Sequence, residues 1–422
     1  LGVGTVGTGV VKVLKKNGPD IERKIGRKLH LEGILVRDLN KKRAADIPRE
    51  LLTDDPAAIL DNPEIDIIVE VMGGIDKAFE YICRAFENKK SVVTANKDLV
   101  SVHGKQLFAL AEKNNCNFFF EGSVAGGIPI IRPLKECLCG NSINRIMGII
   151  NGTTNYILTK MSCEGKEFEE ALAEAKDLGY AEADPTADIE GLDAARKIAI
   201  LASIAFNSRI TYPEVYVEGI TRITSYDIQY AEELGYTIKL LGIAKGSNGE
   251  VEVRVHPVLI PVSHPLAAVN NEFNAIFVEG DAVGETMFYG KGAGELPTAS
   301  AVVGDIIAAA RNINYGVPGK IGCTCFEHKR IKHITEIESK YYIRVSVKDQ
   351  PGVLASIAGV FGNTDVSLAS VIQTRLEGDL AELVLITHRV KEANLQDALS
   401  IIEGLSVVAA VSSVIRVEGS EE

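Results

Sequence analysis

The sequence predicts an α/β fold in three parts: a parallel-sheet domain, an α+β domain and a small ferredoxin-like domain. Three observations support this prediction. Residues 1–115 alternate short apolar strands with helices, which is typical of a parallel sheet covered on both faces. Residues 116–291 mix long helices with four predicted strands, Asn117–Glu121, Ile143–Ile150, Val251–Leu259 and Ala275–Glu279. Residues 341–418 follow the order β-α-β-β-α-β, with the second helix predicted over Glu392–Glu403. A charged linker is expected over 326–340.

Composition excludes several classes of protein. A chain of 422 residues is long enough for two or three domains, and its net charge of −12 argues against nucleic-acid or anionic-membrane partners. No apolar run reaches the roughly 18 residues of a membrane span, and no signal peptide is visible. The seven cysteines are an odd number, so reduced thiols and a cytoplasmic location are expected. Their two C-x-C pairs, Cys137/Cys139 and Cys323/Cys325, lack the C-x-x-C spacing of zinc or redox sites.

The chain opens on a glycine-rich turn. Gly2-x-Gly4-x-x-Gly7 leads into an apolar helix, as in the dinucleotide fingerprint of Rossmann-type domains. Such glycines let the backbone approach a pyrophosphate at a helix N-terminus, so we expect Gly4, Thr5 and Val6 to contact the cofactor. The first strand of the domain would precede Leu1. A purely structural turn is the alternative.

The residues after the next predicted strand, Leu31–Arg37, bear on cofactor choice. An acid at this place favours the ribose hydroxyl of NAD, whereas an arginine accommodates the 2′-phosphate of NADP. Arg37 therefore favours NADP, and NAD remains open because Asp38 follows it. The lysines at 41 and 42 also fit a solvated run of charge.

Two further motifs follow predicted strands. Thr94-Ala95-Asn96-Lys97 comes after Ser91–Thr94, at the carboxyl end of the sheet where ligands bind in open α/β folds. Glu121–Pro129 (E-G-S-V-A-G-G-I-P) is rich in small residues that expose backbone carbonyls, which together with Glu121 would suit a hard cation. An ordinary surface lysine and a plain glycine turn are the alternatives.

Gly179–Lys197 is the most informative segment. Five acids crowd into it, and Asp193 and Lys197 are four residues apart on a predicted helix, Leu192–Phe206. They could be only a surface ion pair, yet the residues that follow Lys197 on the same helix are apolar on nearly every face. A helix buried to that degree hides charges only where they serve a site. The segment therefore predicts a polar substrate site with Lys197 as a proton-transfer group.

A last glycine-rich motif, Gly290–Gly294, precedes Pro297 and the helix Thr298–Arg311. Backbone N–H groups at such an entry can face an anion. We therefore expect residues from about 292 to 325 to join residues 1–115 in the nucleotide-binding domain.

Together and in this order, these motifs resemble those of homoserine dehydrogenases of the long form, which end in an ACT domain. The matching segments are G-x-G-T-V-G at Gly2–Gly7, T-A-N-K at Thr94–Lys97, E-G-S-V-A-G-G-I-P at Glu121–Pro129, N-G-T-T-N-Y at Asn151–Tyr156, Y-A-E-A-D-P…D-I-E-G-L-D-A-A-R-K at Tyr180–Lys197 and G-A-G-x-x-P-T-A at Gly292–Ala299. The resemblance implies an NAD(P)-dependent interconversion of L-homoserine and L-aspartate 4-semialdehyde.

The resemblance also implies roles for individual residues. Lys197 would be the main acid/base group, and Lys97, with Thr94 before it, would lie at the nicotinamide and the substrate. Glu182 would hold the substrate amino group and Asp193 would orient the substrate. The remaining implied contacts are Gly292 for the cofactor and, for a monovalent cation that is usually sodium, Glu121 with the backbone of Val124, Gly126 and Ile128.

The tail resembles an ACT domain through D-Q-P-G-V-L at Asp349–Leu354. Such domains pair side by side and bind amino acids, so L-threonine is the implied effector, with Asp349, Gly352, Val353 and Asn363 as candidate contacts. A purely dimerising tail is the alternative. The resemblance further implies a homodimer through the middle domain, or a homotetramer through the tails.

Other classes fit less well. A 2-hydroxyacid dehydrogenase with an ACT tail would carry its glycine fingerprint in mid-chain and a late catalytic histidine. A phosphorylating semialdehyde dehydrogenase would need a nucleophilic cysteine after the nucleotide domain. A catalytically inactive amino-acid sensor would not need Glu182, Asp193 and Lys197 together.

Overall fold

A computed structural model of the chain describes residues 1–44, 46–317, 319, 322–377 and 379–419, with the backbone alone described for 374–377. These residues form two compact units. Unit 1 comprises Leu1–Gly152, Arg196–Val215 and Phe273–Lys329. Unit 2 comprises Thr153–Ala195, Tyr216–Glu272 and Arg330–Glu422. No helix among the described residues has both the length and the apolar character that crossing a membrane requires.

The first part of unit 1 alternates strands and helices. Its elements are α1 Thr5–Ile25, β1 Ile34–Leu35, β2 Leu52–Thr53, α2 Ala57–Leu60, β3 Ile67–Glu70, α3 Asp76–Glu87, β4 Ser91–Thr94, α4 Lys97–Lys113, β5 Phe118–Phe119 and β6 Ile143–Ile149. Strands β3, β4 and β5 pair in parallel, as do β1 and β2. Leu1 and Gly2 bridge the two sheets, because the Gly2 N–H donates to Leu35 O and the Val71 N–H donates to Leu1 O, both at 3.0 Å. The predicted α/β class is confirmed.

Two strands are shorter than the sequence predicts. The apolar runs Leu31–Arg37 and Asn117–Glu121 yield only the two-residue strands β1 and β5. After Phe119 the chain enters a 3₁₀ turn, Glu121–Ser123, and the Glu121 N–H donates to the Asp305 carboxylate at 2.8 Å. That side-chain acceptor replaces the neighbouring strand, so the ladder ends early.

The middle of the chain contributes to both units. Its elements are α5 Gly152–Glu164, α6 Phe168–Asp177, α7 Thr186–Ile189, α8 Leu192–Ala205, β7 Tyr216–Val217, α9 Ser225–Glu233, β8 Tyr236–Ser247, β9 Glu250–Pro261, β10 Phe273–Gly280, β11 Gly284–Lys291 and α10 Glu295–Asn314. In unit 1, β10 pairs antiparallel with both β11 and β6. In unit 2, β8 and β9 form a hairpin over 12 register pairs, turning at Asn248-Gly249, where φ is +52° and +80°. Strands β8 and β11 are not predicted by the sequence analysis.

Helices α1 and α10 pack closely in unit 1. A methyl group added at Gly9 would lie 2.5 Å from Glu295 O and 2.9 Å from the Ala299 Cβ. Apolar side chains of both helices, including Val10 and Val302, are buried in one cluster. The glycine turn before α10 is therefore held in the same unit as the glycine turn before α1.

The carboxyl part of unit 2 has the predicted β-α-β-β-α-β order. Its elements are β12 Arg330–Ile331, β13 Glu338–Lys348, α11 Val353–Asn363, β14 Leu368–Glu377, β15 Leu380–Thr387, β16 Val390–Lys391, α12 Glu392–Glu403 and β17 Val408–Val417. The strands lie in the order β17-β13-β15-β14, all antiparallel, and β17 continues in parallel onto β9 through Arg416 and Val417. The ferredoxin-like prediction is confirmed. The segment 326–340, expected to be a linker, contains β12, which pairs with β9, and the start of β13.

Candidate active site

The three glycines of the first turn have different surroundings in unit 1. Gly2 has φ +86°, and a methyl group there would meet the Met72 backbone at 2.8 Å. A methyl group at Gly7 would lie 2.6 Å from Gly2 O, whereas among the described residues nothing lies within 4 Å of one at Gly4. The first and third glycines are thus needed by the fold. The second leaves open space at the N-terminus of α1, where the N–H groups of Thr5 and Val6 begin the helix.

The carboxyl ends of β3 and β4 are organised by one buried carboxylate. Glu70, at the end of β3, accepts the Thr94 hydroxyl at 2.6 Å and the Met72 N–H at 2.8 Å. The Thr94 hydroxyl in turn accepts the Asn96 N–H at 3.0 Å, and the Asn96 side chain caps α4 by accepting the Leu99 N–H. Thr94 therefore fixes this loop with its side chain. Lys97, the first residue of α4, is half-buried at the same edge of the sheet.

Lys197 lies in the second turn of α8 and is half-buried. Its Nζ donates to Ile150 O at 2.8 Å. The preceding residue, Arg196, forms an ion pair with Asp98 at 3.3 Å, and Asp98 follows Lys97 on α4. Within unit 1 this ion pair connects Arg196 of α8 to the first turn of α4, and Lys97 and Lys197 are each next in sequence to one of its two partners.

The acidic segment before α8 lies in unit 2, and its acids have separate environments. Asp184 accepts the N–H and hydroxyl of Thr186 at 3.1 and 2.6 Å at the start of α7, and these hydrogen bonds lower the pKa of Asp184. Glu190 accepts the Thr221 hydroxyl at 3.3 Å. Glu182 is exposed, whereas Asp193 is only 6% exposed on the first turn of α8. Asp184 and Glu190 thus shape the loop.

The loop predicted to hold a cation surrounds a buried carboxylate in unit 1. Glu121 accepts the N–H groups of Ile130 and Ile131 at 2.6 and 2.8 Å on one oxygen and that of Arg132 at 2.8 Å on the other. Ala125 and Gly126 follow with φ +56° and +50°. A carboxylate has about four acceptor positions, so these three bonds leave Glu121 room for one further contact. The described residues contain no cluster of three or more His, Cys, Asp or Glu side chains that could hold a metal.

This loop packs on the turn before α10. A methyl group at Gly126 would overlap Gly292 O, and one at Gly127 would lie 2.8 Å from Pro297. A methyl group at Gly292 would overlap the buried Asn274 amide. Gly292 and the backbone of Val124, Gly126 and Ile128 therefore lie in one compact region of unit 1.

Arg37 is exposed, two residues beyond β1. Asp38, beside it, accepts the Asn40 N–H at 2.8 Å through its side chain, and the Arg43 guanidinium donates to Asp38 O at 2.6 Å. The acid at this turn is therefore engaged with the local backbone, while Arg37 faces solvent.

The four candidate effector contacts are not all together in unit 2. Gly352 has φ +91° and caps α11, which begins at Val353, and Asp349 lies just before this turn. Asn363 is the last residue of α11, about 15 Å along the helix axis from Val353. Three candidates therefore share one turn, and Asn363 lies at the opposite end of the helix.

The structure adds residues that the sequence analysis missed. Glu70 organises the carboxyl end of β3 and β4, Asp98 forms an ion pair with Arg196 of α8, and Asp305 accepts the Glu121 N–H. Burial, and then the charge of Glu121, raise the pKa of Asp305 to about 8. A sequence signal existed for Glu70 alone, as a single carboxylate that ends an apolar strand.

Three family models match the chain. The homoserine dehydrogenase model covers residues 129–307, the model of the homoserine dehydrogenase NAD-binding domain covers residues 2–121, and the ACT model covers residues 341–407.

Whole-chain comparisons agree with these matches. The chain is 47% identical to the homoserine dehydrogenase of Bacillus subtilis (strain 168) over 422 residues, covering 100% of this chain and 98% of that protein. It is 46% identical to that of Corynebacterium glutamicum, covering 99% and 94%. The crystal structure of a homoserine dehydrogenase from Thiobacillus denitrificans superposes with a TM-score of 0.93 at 42% identity, covering 99% and 96% of the chains. A hyperthermophilic archaeal homoserine dehydrogenase in complex with NADPH gives 0.62 at 31% identity, covering 73% of this chain and 95% of that one.

Proposed function

The chain belongs to the homoserine dehydrogenase family, and from that premise we propose that Lys197 is the acid/base group of its reaction. The enzyme is an NAD(P)-dependent oxidoreductase that interconverts L-homoserine and L-aspartate 4-semialdehyde. In the reducing direction the aldehyde oxygen gains negative charge and must receive a proton. The bound nicotinamide supplies the hydride for the aldehyde carbon, and the chain supplies the proton and the charge stabilisation.

The observation that supports Lys197 is its position. An ammonium group has three N–H donors, and the contact with Ile150 O uses one of them while fixing where Nζ points. The residues that follow Lys197 on α8, such as Ile198 and Leu201, are fully buried, so the charged Nζ lies at the polar end of an apolar helix. A positioned lysine can donate a proton to an alkoxide, and such acid/base help contributes about 10²–10⁴-fold to the rate.

We propose that Gly4, Thr5, Val6, Thr94, Lys97 and Gly292 contact the nucleotide. The open space at Gly4 and the N-terminus of α1, which has no acidic residue in its first turn, suit a pyrophosphate. Arg37 faces solvent where an adenosine 2′-phosphate would lie, so NADP is the preferred cofactor. Lys97 lies close enough to the end of β4 to face the nicotinamide and the substrate.

For the substrate we propose Glu182 and Asp193. The substrate carries an ammonium group, and an exposed carboxylate such as Glu182 can bind it, while the buried Asp193 orients it from α8. Asp193 and Lys197 are one helical turn apart on α8, so one helix would carry both the substrate contact and the proton donor.

We further propose that Glu121, with the backbone carbonyls of Val124, Gly126 and Ile128, holds a monovalent cation, sodium by resemblance. The bound cation would hold this loop against Gly292. Carbonyl and carboxylate oxygens are the ligands that a hard cation prefers.

We propose that the ACT domain, residues 341–418, binds L-threonine at the turn formed by Asp349, Gly352 and Val353. Asn363 lies about 15 Å away at the far end of α11, beyond the reach of a threonine bound at that turn. Residues 1–115 with about 292–325 would be the nucleotide-binding domain, 116–291 the catalytic and dimerisation domain, and 326–340 the linker. A cytoplasmic homodimer or homotetramer is the proposed assembly.

Replacing Lys197 tests the central role. Lys197→Met should lower kcat about 10²–10⁴-fold in both directions, with NADPH binding within about twofold of the original protein. Lys113→Met is the matched control, because Lys113 is exposed at the carboxyl end of α4, whereas Lys97 lies at the amino end of that helix. NADPH absorbance measures the rate and fluorescence titration measures binding. A variant that keeps near-normal kcat would exclude Lys197 from proton transfer.

A further inference from the structure

The second C-x-C pair lies at a cavity that the dehydrogenase reaction does not use. Cys323 is exposed and Cys325 is half-buried, and both line a cavity of about 30 Å³ in unit 1. Its walls include Val100 and Phe108 of α4 and Ser203 of α8. A volume of this size admits about one water molecule, so the thiols lie against packed helices.

Two cations face the pair. Lys135 is half-buried, its Nζ donates to Gly322 O at 2.8 Å and lies 4.9 Å from the Phe108 ring centre. Arg209 lines the same cavity and donates to Ser101 O at 2.9 Å. Burial lowers the pKa of Lys135, yet an ammonium so close to the pair still favours a thiolate over a thiol.

The two cysteines also contact each other. The Cys325 N–H donates to the Cys323 sulfur at 3.5 Å, and the Cys325 thiol lies 3.7 Å from Ser203 O. Contact with Cys325, through its side chain and its N–H, lowers the pKa of Cys323 despite the opposing effect of burial, and Lys135 and Arg209 lower it further. The same contact and burial raise the pKa of Cys325. Cys323 is therefore the attacking thiolate, and Cys325 keeps its proton as a thiol.

We propose that Cys323 and Cys325 form a thiol-modification site at which a small-molecule disulfide oxidises the pair to an intrachain disulfide. Cysteines at positions i and i+2 have Cα atoms at most about 7.6 Å apart, so a modest turn brings them to disulfide distance. Disulfides that are exposed and close very short loops are the labile, regulatory ones, which suits a cytosolic enzyme.

The reaction has two balanced steps. The Cys323 thiolate attacks one sulfur of the small disulfide, the S–S bond breaks, and one thiolate leaves with its electron pair. Cys325 then loses its proton to solvent and attacks the Cys323 sulfur, which expels the second thiolate. Capping Cys323 removes the negative charge that raised the pKa of Cys325, so the first step prepares the second. Two protein thiols are oxidised, and one small disulfide is reduced to two thiols.

The position of the pair predicts an effect on catalysis. Helix α4 begins with Lys97 and α8 carries Lys197, and the cavity lies between their later turns. Forming the disulfide withdraws the Cys325 sulfur from Ser203 O and removes the thiolate that faces Lys135. We expect the oxidised enzyme to lose kcat and a thiol reductant to restore it.

Oxidised glutathione is the probe, and mass spectrometry of the full-length enzyme is the first readout. The unmodified enzyme should lose two hydrogens and show a Cys323–Cys325 link. Cys325→Ser should stop at a mixed disulfide on Cys323, and Cys323→Ser should leave Cys325 unmodified. The double variant Cys137→Ser/Cys139→Ser, which removes the other C-x-C pair, should oxidise like the unmodified enzyme. Equal modification of the exposed Cys137, Cys139 or Cys163 would overturn the site. An unchanged kcat in the oxidised enzyme would overturn the link to α4 and α8.

Alkylation by iodoacetamide at pH 5.5 tests the thiolate directly. Contact with Cys325 and the nearby cations lower the pKa of Cys323, so a larger share of this thiol than of an unperturbed one is ionised at that pH. The lower nucleophilicity of an acidic thiolate offsets part of this advantage. Cys323 should therefore react several-fold faster than Cys137 or Cys139. Lys135→Met should reduce this advantage, and equal rates at all three cysteines would refute the assignment. This readout does not depend on the dehydrogenase reaction.

Discussion

A buried ion pair should control the stability of the ACT domain in unit 2. Arg416, on β17, is 5% exposed and donates Nε and Nη2 to Glu392 at 2.9 and 2.7 Å. Its Nη1 donates to Glu218 at 3.0 Å. Glu392 is also 5% exposed and accepts the Tyr341 hydroxyl at 2.6 Å. Replacing Arg416 with Met removes the cation and leaves Glu392 buried beside a tyrosine.

The size of the effect follows from burial. Breaking a buried pair by removing one partner costs about 3–5 kcal/mol, because the other charge stays out of water without compensation. Glu218 is 35% exposed, so its loss of the guanidinium adds only about 0–1 kcal/mol. Arg416→Met should therefore lower the free energy of unfolding by about 3–5 kcal/mol. That is a large share of the 5–15 kcal/mol that holds a typical domain together.

A triple variant separates charge from packing. Arg416→Met/Glu392→Leu removes both charges but leaves the Tyr341 hydroxyl buried without its acceptor, at about 1–3 kcal/mol. Adding Tyr341→Phe removes that hydroxyl as well. Replacing a whole buried ionic group with apolar residues is often neutral or stabilising. The triple variant should therefore lie within about 1 kcal/mol of the original protein or above it.

Urea unfolding is the assay, followed by far-ultraviolet circular dichroism and tyrosine fluorescence, since the chain has 12 tyrosines and no tryptophan. Tyr341 lies on β13 of the ACT domain, so the unfolding transition in which its fluorescence changes reports on that domain. The reasoning fails if Arg416→Met costs less than about 1 kcal/mol, or if the triple variant is as unstable as the single one.

Two further predictions concern the pH dependence of stability at His256 and the binding of NADPH at Gly4. Burial, followed by the charges of Arg416 and Arg254, holds the pKa of His256 well below its usual range, and its Nε2 accepts the Arg254 Nε–H at 3.0 Å. Because the pKa is depressed in the folded state, this contribution to stability is fully present above the unfolded pKa of about 6.5 and is lost as pH falls below it, by at most about 2 kcal/mol at pH 5. Urea unfolding of His256→Gln should lack this loss, and an identical pH dependence would refute it. If the nucleotide occupies the open space at Gly4 as proposed, Gly4→Ala should weaken NADPH binding by about tenfold or more without destabilising the fold, because the methyl group enters that space. Gly18→Ala, also in open space but away from the turn, is the control, and equal affinities for NADPH would remove Gly4 from the cofactor site.

The sequence predicted the elements whose pattern is local. Strand β4 and helix α12 have the predicted bounds, because an apolar run between polar residues and an amphipathic run with charged ends are readable without their neighbours. Strand β8 was missed, since its sequence carries Lys239 in the middle of an apolar stretch. That lysine is 2% exposed and donates to Val269 O at 2.7 Å and to Asn155 Oδ1 at 3.2 Å. Its partners come from distant segments, so no local pattern could indicate that a lysine would be buried there.

The candidate site divides in the same way. Glycine spacing and the Asp193–Lys197 interval are visible in the sequence because they concern neighbours on one turn or helix. The roles of Glu70 and Asp98 depend on which loops meet at the sheet edge, and the sequence does not show this. The side chain of Thr94, expected at the cofactor, is engaged with Glu70 in the structure, so any contact with the nucleotide would use its backbone.

The join between the ACT sheet and β9 depends on buried charges. Among the described residues, two register pairs connect β17 to β9, Arg416 with Val258 and Val417 with Leu259, and the Glu418 N–H donates to Leu259 O at 2.9 Å. So short a ladder holds the join weakly. Side chains strengthen it, because Glu418 forms ion pairs with the fully buried Arg254 of β9 and with Lys245 of β8. Detaching β17 would leave Arg254 buried without Glu418, at a cost of several kcal/mol. The ACT sheet and the β8–β9 hairpin must therefore move together. An effector that shifts β13, which pairs with β17, would carry β9 with it.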